Sequence, residues 1–302
     1  MNHRVAKFVL AALVLLSAST LVFAGGGGEA SATGPIKIGV AGPHTGDLAS
    51  YGIPSIKAAE LVVKDWNSKG GVLGRQIELV IEDDVCDAGT ASNVAAKLIG
   101  EGVVAVLGHI CSGATSAAVG IYNSSNVVLI SPSATTPLLT LSGENTNFLR
   151  TIARDDEQAT LIASFTLGTL GAKKIAILHD KDAYGKGLAE EVKLIVDAAS
   201  GVETVLFAGI TAGAVDFSSI INKVKSVGAD AVVYGGYHPD ASKLVTQGQK
   251  AGLRIPFISD DGVKDDTFIK VAGSYAEGVY ASGPADTTSN PMAISAEKAH
   301  QA

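Results

Sequence analysis

Hydrophobic positions along the chain follow two alternating rhythms. Short β-rich apolar runs at residues 36–41, 77–81, 103–107, 127–130 and 148–152 read as strands, and the segments between them carry apolar residues at helical spacing. Ala58, Leu61, Val62 and Trp66 share a helical face that Gly70-Gly71 closes, with Trp66 as a core residue of that face. Residues 90–99 and 117–125 give two further helices. The rhythm resumes after a polar passage at 150–156 that suits a hinge. A helical stretch at 158–170 is followed by strands at 174–178, 203–207, 231–234, 256–259 and 278–282. The stripes Leu188, Val192, Ile195, Ala199 and Phe217, Ile220, Ile221, Val224, Val227 mark helices among them, as do 241–251 and 263–271.

Strands alternating with helices imply parallel sheets, because parallel neighbours need a crossover and the crossing helices cover both sheet faces. The expected fold is α/β, with two doubly wound parallel-sheet lobes joined by a hinge. Residues 35–152 form the first lobe and 153–282 the second. Ahead of them, Arg4 and Lys7, the apolar run 8–16 and the small-residue exit at Ala24 have the layout of a cleaved export signal over 1–24. Residues 25–34 read as a Gly-rich flexible linker. A membrane anchor over 8–24 is the rival reading, but Ser17, Ser19 and Thr20 dilute that run. The mature protein is therefore expected to be exported.

Charge and cysteine content narrow the partners. The formal net charge of the 302 residues is −7 and no basic cluster is present, which argues against nucleic-acid binding. Cys86 and Cys111 are the two cysteines. In an oxidising compartment such a pair is better read as a disulfide than as a nucleophile or metal ligand, with two free thiols as the alternative.

Ligands of doubly wound sheets bind beyond the carboxyl ends of the strands. The loops at those ends carry Gly108-His109-Ile110-Cys111-Ser112-Gly113-Ala114-Thr115-Ser116 and Ser131-Pro132-Ser133-Ala134-Thr135-Thr136-Pro137 in the first half. In the second half they carry His179-Asp180-Lys181-Asp182-Ala183-Tyr184, Gly235-Gly236-Tyr237-His238-Pro239 and Ser259-Asp260-Asp261-Gly262. Hydroxyls and a helix N-terminus suit a carboxylate, an aspartate suits an ammonium, and tyrosine rings suit an apolar side chain. A zwitterionic aliphatic amino acid uses all three. Each residue also has a plainer role: Ser112 and Thr115 as helix caps, Asp261 as a turn residue, Tyr184 and Tyr237 as half-buried aromatics. His44, His109, His179 and His238 also follow strands but lack HxxxH spacing, so no metal is expected. No GxSxG elbow, Walker loop or GxGxxG turn is present, so no cofactor is expected and the chain does not read as an enzyme. The rival of that class is an exported hydrolase using His109 or His179.

With these loops in view, the chain resembles the periplasmic leucine/isoleucine/valine-binding proteins of ABC importers, from about residue 36 to 282. The likeness is carried by Asp83-Asp84-Val85-Cys86-Asp87, Gly108-His109-Ile110-Cys111-Ser112, Ser131-Pro132-Ser133-Ala134-Thr135, His179-Asp180-Lys181 with Tyr184-Gly185, Gly209-Ile210-Thr211-Ala212-Gly213 with Asp216-Phe217-Ser218, and Tyr234-Gly235-Gly236-Tyr237-His238-Pro239. The resemblance implies a monomer that closes over an aliphatic amino acid and delivers it to a membrane permease. It implies that Ser112 and Thr135 bind the ligand carboxylate, while the Ser133 carbonyl and the Thr135 hydroxyl face the ammonium and Ala134 contributes backbone. Tyr51, Tyr184 and Tyr237 would line the pocket, and Cys86–Cys111 would be the family's disulfide. The family's ammonium-binding glutamate is replaced here by Asp261, one methylene shorter, which puts strict leucine specificity in question. Family members also run longer, so the resemblance implies that residues 283–302 start a return to the first lobe and that the C-terminal part is missing. Without it the first lobe would expose an apolar face. A receptor for another small polar solute such as an amide, serving a transporter or sensor, is the alternative within the same fold.

Overall fold

The computed structural model describes residues 34–301. The expected leader over 1–24, and all but the last residue of the linker over 25–34, lie outside the described residues.

The first layer is built on β1 (Ile36–Gly42), β2 (Ile77–Asp83), β3 (Ala105–Leu107), β4 (Val128–Ser131) and β5 (Phe148–Arg150), all parallel, in the order β2-β1-β3-β4-β5. Its crossovers are α1 (Ala49–Ser68), α2 (Ala88–Gly100), α3 (Ser112–Ser124) and the single turn α4 (Leu138–Leu141). The second layer holds β6 (Lys174–His179), β7 (Glu203–Gly209), β8 (Ala231–Gly235), β9 (Phe257–Ser259) and β10 (Val279–Ala281), again all parallel, in the order β10-β9-β8-β6-β7. With it come α5 (Asp155–Ser164), α6 (Ala183–Ala198), α7 (Ser218–Ser226), α8 (His238–Lys250), α9 (Asp266–Ala272) and a final helix α10 (Pro291–Gln301). The alternation read from the sequence is thus two doubly wound sheets. Each reverses direction beside a central strand, between β1 and β3 in the first and between β6 and β8 in the second. Those reversals open crevices above the strand ends, where such folds take ligands.

The second sheet is packed on both faces. One cluster gathers Leu178, Phe217, Ile221, Val232, Leu244 and Phe268, and the other Ile162, Ile175, Ile177, Leu188, Val192 and Val233. The first sheet has one such cluster, around Leu98, Val106, Tyr122, Leu129 and Phe148. On its other face α1 packs along β1 and β2. There Ile81, Val128 and Leu149 remain 41%, 37% and 55% exposed.

Helix α1 turns a different face inward than its bulkiest stripe suggests. Ala58, Val62 and Trp66 are exposed, Trp66 by 49%. The neighbouring row, Gly52, Ile56, Ala59 and Val63, faces the protein instead. Two contacts fix that rotation. The Asn67 amide donates to the Ile77 carbonyl at 2.9 Å and accepts from the Ile77 N–H at 2.8 Å, pinning the end of α1 to the start of β2. At the other end Gly52 lies so close to the Pro43 carbonyl that any side chain would collide with it.

Other elements shift by a few residues for local reasons. Helix α3 starts at Ser112 rather than at 117, because the Thr115 N–H already reaches the Cys111 carbonyl at 2.9 Å. Helix α8 starts at His238, with Pro239 in its first turn, where a missing N–H does no harm. Helix α9 waits until Asp266, capped by Asp265, whose carboxylate accepts from Thr267 N at 2.6 Å.

Candidate functional site

The loops over the two crevices converge. From the first layer come Tyr51 near the start of α1, Ile110 and Ser112 after β3, and Ser133 after β4. From the second come Tyr184 at the start of α6, Tyr237 after β8, and Asp261 and Gly262 after β9. Together they line a cavity of about 40 Å³. A second cavity of about 230 Å³ adjoins it at Asp261 and is lined by Thr135, Ile152, Gln158, Leu161 and Pro284, among others.

Cys86 and Cys111 form a disulfide with Cα atoms 5.6 Å apart, closing a loop of sequence separation 25. The bridge ties the loop after β2 to the residue just ahead of α3. Cys111 is 2% exposed and Cys86 half-buried. Replacing both cysteines by serine is expected to lower stability by about 3 kcal/mol on the chain-entropy model. Urea unfolding of the two forms measures this, and a difference below about 1 kcal/mol would refute it.

Beneath the bridge runs a fully buried polar chain. His109 Nδ1 lies 2.6 Å from Asp84 Oδ2, and His109 Nε2 lies 3.1 Å from the Tyr122 hydroxyl, all three residues with no solvent exposure. The second oxygen of Asp84 accepts from Cys86 N at 2.8 Å. The carbonyl of His109 accepts from Ser131 Oγ at 2.6 Å. Ser131 in turn accepts from Ser133 N and Ala134 N, so one hydroxyl joins the two hydroxyl-rich loops.

Ser112 does not cap its own helix. Its Oγ accepts from Thr135 N at 3.2 Å and Thr136 N at 3.3 Å, a second tie between the same loops. Thr115 donates back to the carbonyls of Cys111 and His109 and is fully buried. From the far side Arg150 holds the carbonyls of Ala134 and Thr136, each at 2.9 Å. Ala134 is fully buried and lies outside the cavity wall, its carbonyl engaged by Arg150. Thr135 borders the larger cavity rather than the smaller one, with its hydroxyl beside the Asp155 carboxylate.

On the opposite side, close backbone approach sets the tyrosines. Gly185 and Gly235 lie so near each other that a side chain on either would strike the other's carbonyl, which brings the start of α6 against the end of β8. The Tyr184 hydroxyl donates to Asp261 Oδ1 at 2.6 Å and accepts from Gly262 N at 3.1 Å. Tyr237 packs between the other two, with ring centroids 5.2 Å from Tyr184 and 5.8 Å from Tyr51, and its hydroxyl points at Cys86 Sγ at 3.8 Å. Burial pushes the phenols of Tyr51, Tyr184 and Tyr237 above their usual range, so all three remain neutral donors.

Tyr51 crosses to the second layer. Its hydroxyl donates to the Gly262 carbonyl and sits 2.6 Å from His238 Nδ1, so the imidazole completes the junction in the tautomer protonated at Nδ1. Ile110, Gly262, His238 and Arg150 were not singled out as site residues from the sequence. Ile110 and Gly262 did lie within loops identified there, and adjacency to Ser112 and Asp261 was the available signal. Among the described residues no group of three His, Cys, Asp or Glu side chains could hold a metal ion.

The family described as periplasmic binding protein matches residues 35–299. The chain is 40% identical over 266 residues to the leucine-, isoleucine-, valine-, threonine- and alanine-binding protein of Pseudomonas aeruginosa, covering 88% of this chain and 71% of that one. It is 38% identical to the Leu/Ile/Val-binding protein of Citrobacter freundii, over 92% of this chain and 73% of that one. Among solved structures it is similar to the branched-chain amino acid transporter substrate binding protein LivJ from Streptococcus pneumoniae in complex with isoleucine. The TM-score is 0.79 at 32% identity, covering 88% of this chain and 76% of that chain.

Proposed function

The chain belongs to the periplasmic binding protein family, and from that membership we propose that it captures a branched-chain aliphatic amino acid and delivers it to the permease of an ABC importer. The observation that carries this reading is the convergence of hydroxyls, tyrosine rings and one aspartate, drawn from both layers, on one cavity. Ser112 and Thr135 would take the carboxylate, with Ser133 and Ala134 contributing backbone. Tyr51, Tyr184 and Tyr237 would enclose the side chain, and Asp261 would take the ammonium. Residues 35–152 and 153–282 would act as the two lobes, with 283–302 returning to the first. The smaller cavity, at about 40 Å³, has room for only a few waters at about 10–15 Å³ each, so an amino acid must also use the space beyond Asp261 or part the layers slightly.

In this reading the protein is exported with removal of residues 1–24, works in the periplasm as a monomer, needs no cofactor and performs no chemistry on its ligand. The hydrolase alternative has little support. His109 is sealed between Asp84 and Tyr122, and His179 spends its Nδ1 on the Lys181 N–H at 3.1 Å. An amide receptor remains the second reading, since Asp261 is one methylene shorter than the family's glutamate. Calorimetry of the exported protein with leucine, isoleucine and valine, beside other amino acids and short amides, is expected to give saturable heat with the aliphatic amino acids. Heat with amides alone would favour the second reading and overturn the first.

A further inference from the structure

The loop after β9 carries two neighbouring acids with different surroundings. Asp261 reaches the cavity and is engaged by Tyr184. Asp260 has no solvent exposure and turns to the loop after β8, where its Oδ2 accepts from Gly236 N at 2.9 Å. Its Oδ1 is buried without a hydrogen-bond partner, and a Cβ placed on Gly262 would lie 3.2 Å from it. That oxygen therefore stands directly behind a residue of the cavity wall. Two further bonds run between the same loops. Ser259 Oγ donates to the Tyr234 carbonyl at 2.7 Å, and His238 N donates to the Gly262 carbonyl at 2.9 Å. Of these three ties, only the one through Asp260 uses an ionisable side chain.

An ionised carboxylate in this place would have a single backbone N–H to offset its loss of water, and a buried charge is expensive unless it is paired. Its titratable neighbours bring no relief. They are Asp261 beside it, Asp180 after β6 and Asp155 on α5, and the phenols of Tyr51, Tyr184, Tyr234 and Tyr237 feel its charge. Burial first, and then those three carboxylates, push the Asp260 carboxyl well above the usual carboxylate range, against the Gly236 N–H.

Resting on the amino-acid reading above, we propose that Asp260 is a positioning residue that works as a neutral carboxylic acid, tying the loop of Tyr237 to the loop of Asp261 and leaving Asp261 as the one anion of its loop. The proton belongs on Oδ1, because Oδ2 is the acceptor for Gly236 N. Tyr237 and Asp261 each follow directly on the residues so joined, so this bond sets their spacing. A neutral acid and a primary amide present the same pair of groups here, an accepting oxygen and a donor, whereas an ionised acid presents acceptors alone. In the unfolded chain the side chain loses its proton near pH 4, while the folded protein keeps it to higher pH. The folded state then holds one more proton, so this contribution to stability is full below about pH 4 and falls as pH rises.

The test is urea unfolding from pH 5 to pH 8, with calorimetry of L-leucine at pH 7, on the unchanged protein, Asp260→Asn and Asp260→Ala. Asp260→Asn is expected to keep leucine affinity within about twofold, and its unfolding constant to improve on that of the unchanged protein by up to about tenfold per pH unit. Asp260→Ala leaves Gly236 N without its acceptor and is expected to bind leucine about fivefold or more weakly. Parallel unfolding profiles, or a loss of affinity in Asp260→Asn as large as in Asp260→Ala, would overturn the proposal, since an ionised Asp260 predicts both. Unaltered affinity in Asp260→Ala would remove the positioning role. Should Asp260→Ala prove poorly folded, the profile and affinity of Asp260→Asn decide. If the unchanged protein binds no aliphatic amino acid, the amino-acid reading falls, and the unfolding profiles still decide whether Asp260 is a neutral acid.

Discussion

Asp261→Asn is expected to weaken binding of a branched-chain amino acid by about thirtyfold or more while leaving the fold unchanged. The asparagine keeps an oxygen for the Tyr184 hydroxyl, so the bond that orients residue 261 survives the change. What disappears is the negative charge that, in the proposed reading, would face the ligand ammonium. Removing one partner of a buried, hydrogen-bonded charge pair costs about 2–5 kcal/mol, and each 1.4 kcal/mol is tenfold in affinity. A neutral amide, by contrast, should bind the variant as well as the parent. Calorimetry with both ligand classes checks this, and an unaltered affinity for leucine would show that the ammonium is read elsewhere.

The second large effect concerns stability rather than binding. His109→Ala should lower the unfolding free energy by about 3–5 kcal/mol. The substitution strips Asp84 of the donor at its Oδ2 and leaves Tyr122 without a partner, both at positions with no solvent exposure. A buried carboxylate without its partner is among the few single-residue changes expected to reach that size. Urea unfolding monitored by circular dichroism measures it. A loss under about 1 kcal/mol would mean that the Asp84–His109–Tyr122 chain contributes little to holding the loop ahead of Ser112.

Much of the architecture was legible because each strand is a compact apolar run and each crossover carries its own stripe. The parallel order also left the hydroxyl-rich and tyrosine-bearing loops on predictable ends. Periodicity could not say which of two adjacent stripes on α1 would face inward. That choice was made by Asn67 at β2 and by the close approach at Gly52, both of which depend on neighbours far along the chain. Composition likewise concealed the start of α3, since Ser-Gly-Ala-Thr-Ser looks like loop until the Thr115 back-bond is seen.

Candidate residues divide in the same way. Ser112, Ser133, Tyr51, Tyr184, Tyr237 and Asp261 share one cavity, and each stood in a loop marked by small, acidic or aromatic residues. Arg150 and Asp155 did not stand out. An arginine at a strand end and an aspartate in a helix's first turn have ordinary explanations, the latter as a partner of the helix dipole. Only the tertiary arrangement shows one clamping the hydroxyl loop by its carbonyls and the other fully buried beside the Thr135 hydroxyl.

The junction of Tyr51 with Gly262 and His238 has a kinetic meaning. It joins the first layer to the second at the wall of the cavity, so on that side a bound molecule would leave only after protein parts from protein. On that path the slow step of exit would be the opening of this seam. Differences among aliphatic ligands would be expressed in how firmly the seam closes over each, and residence time becomes a property of Tyr51 as much as of the groups that touch the ligand.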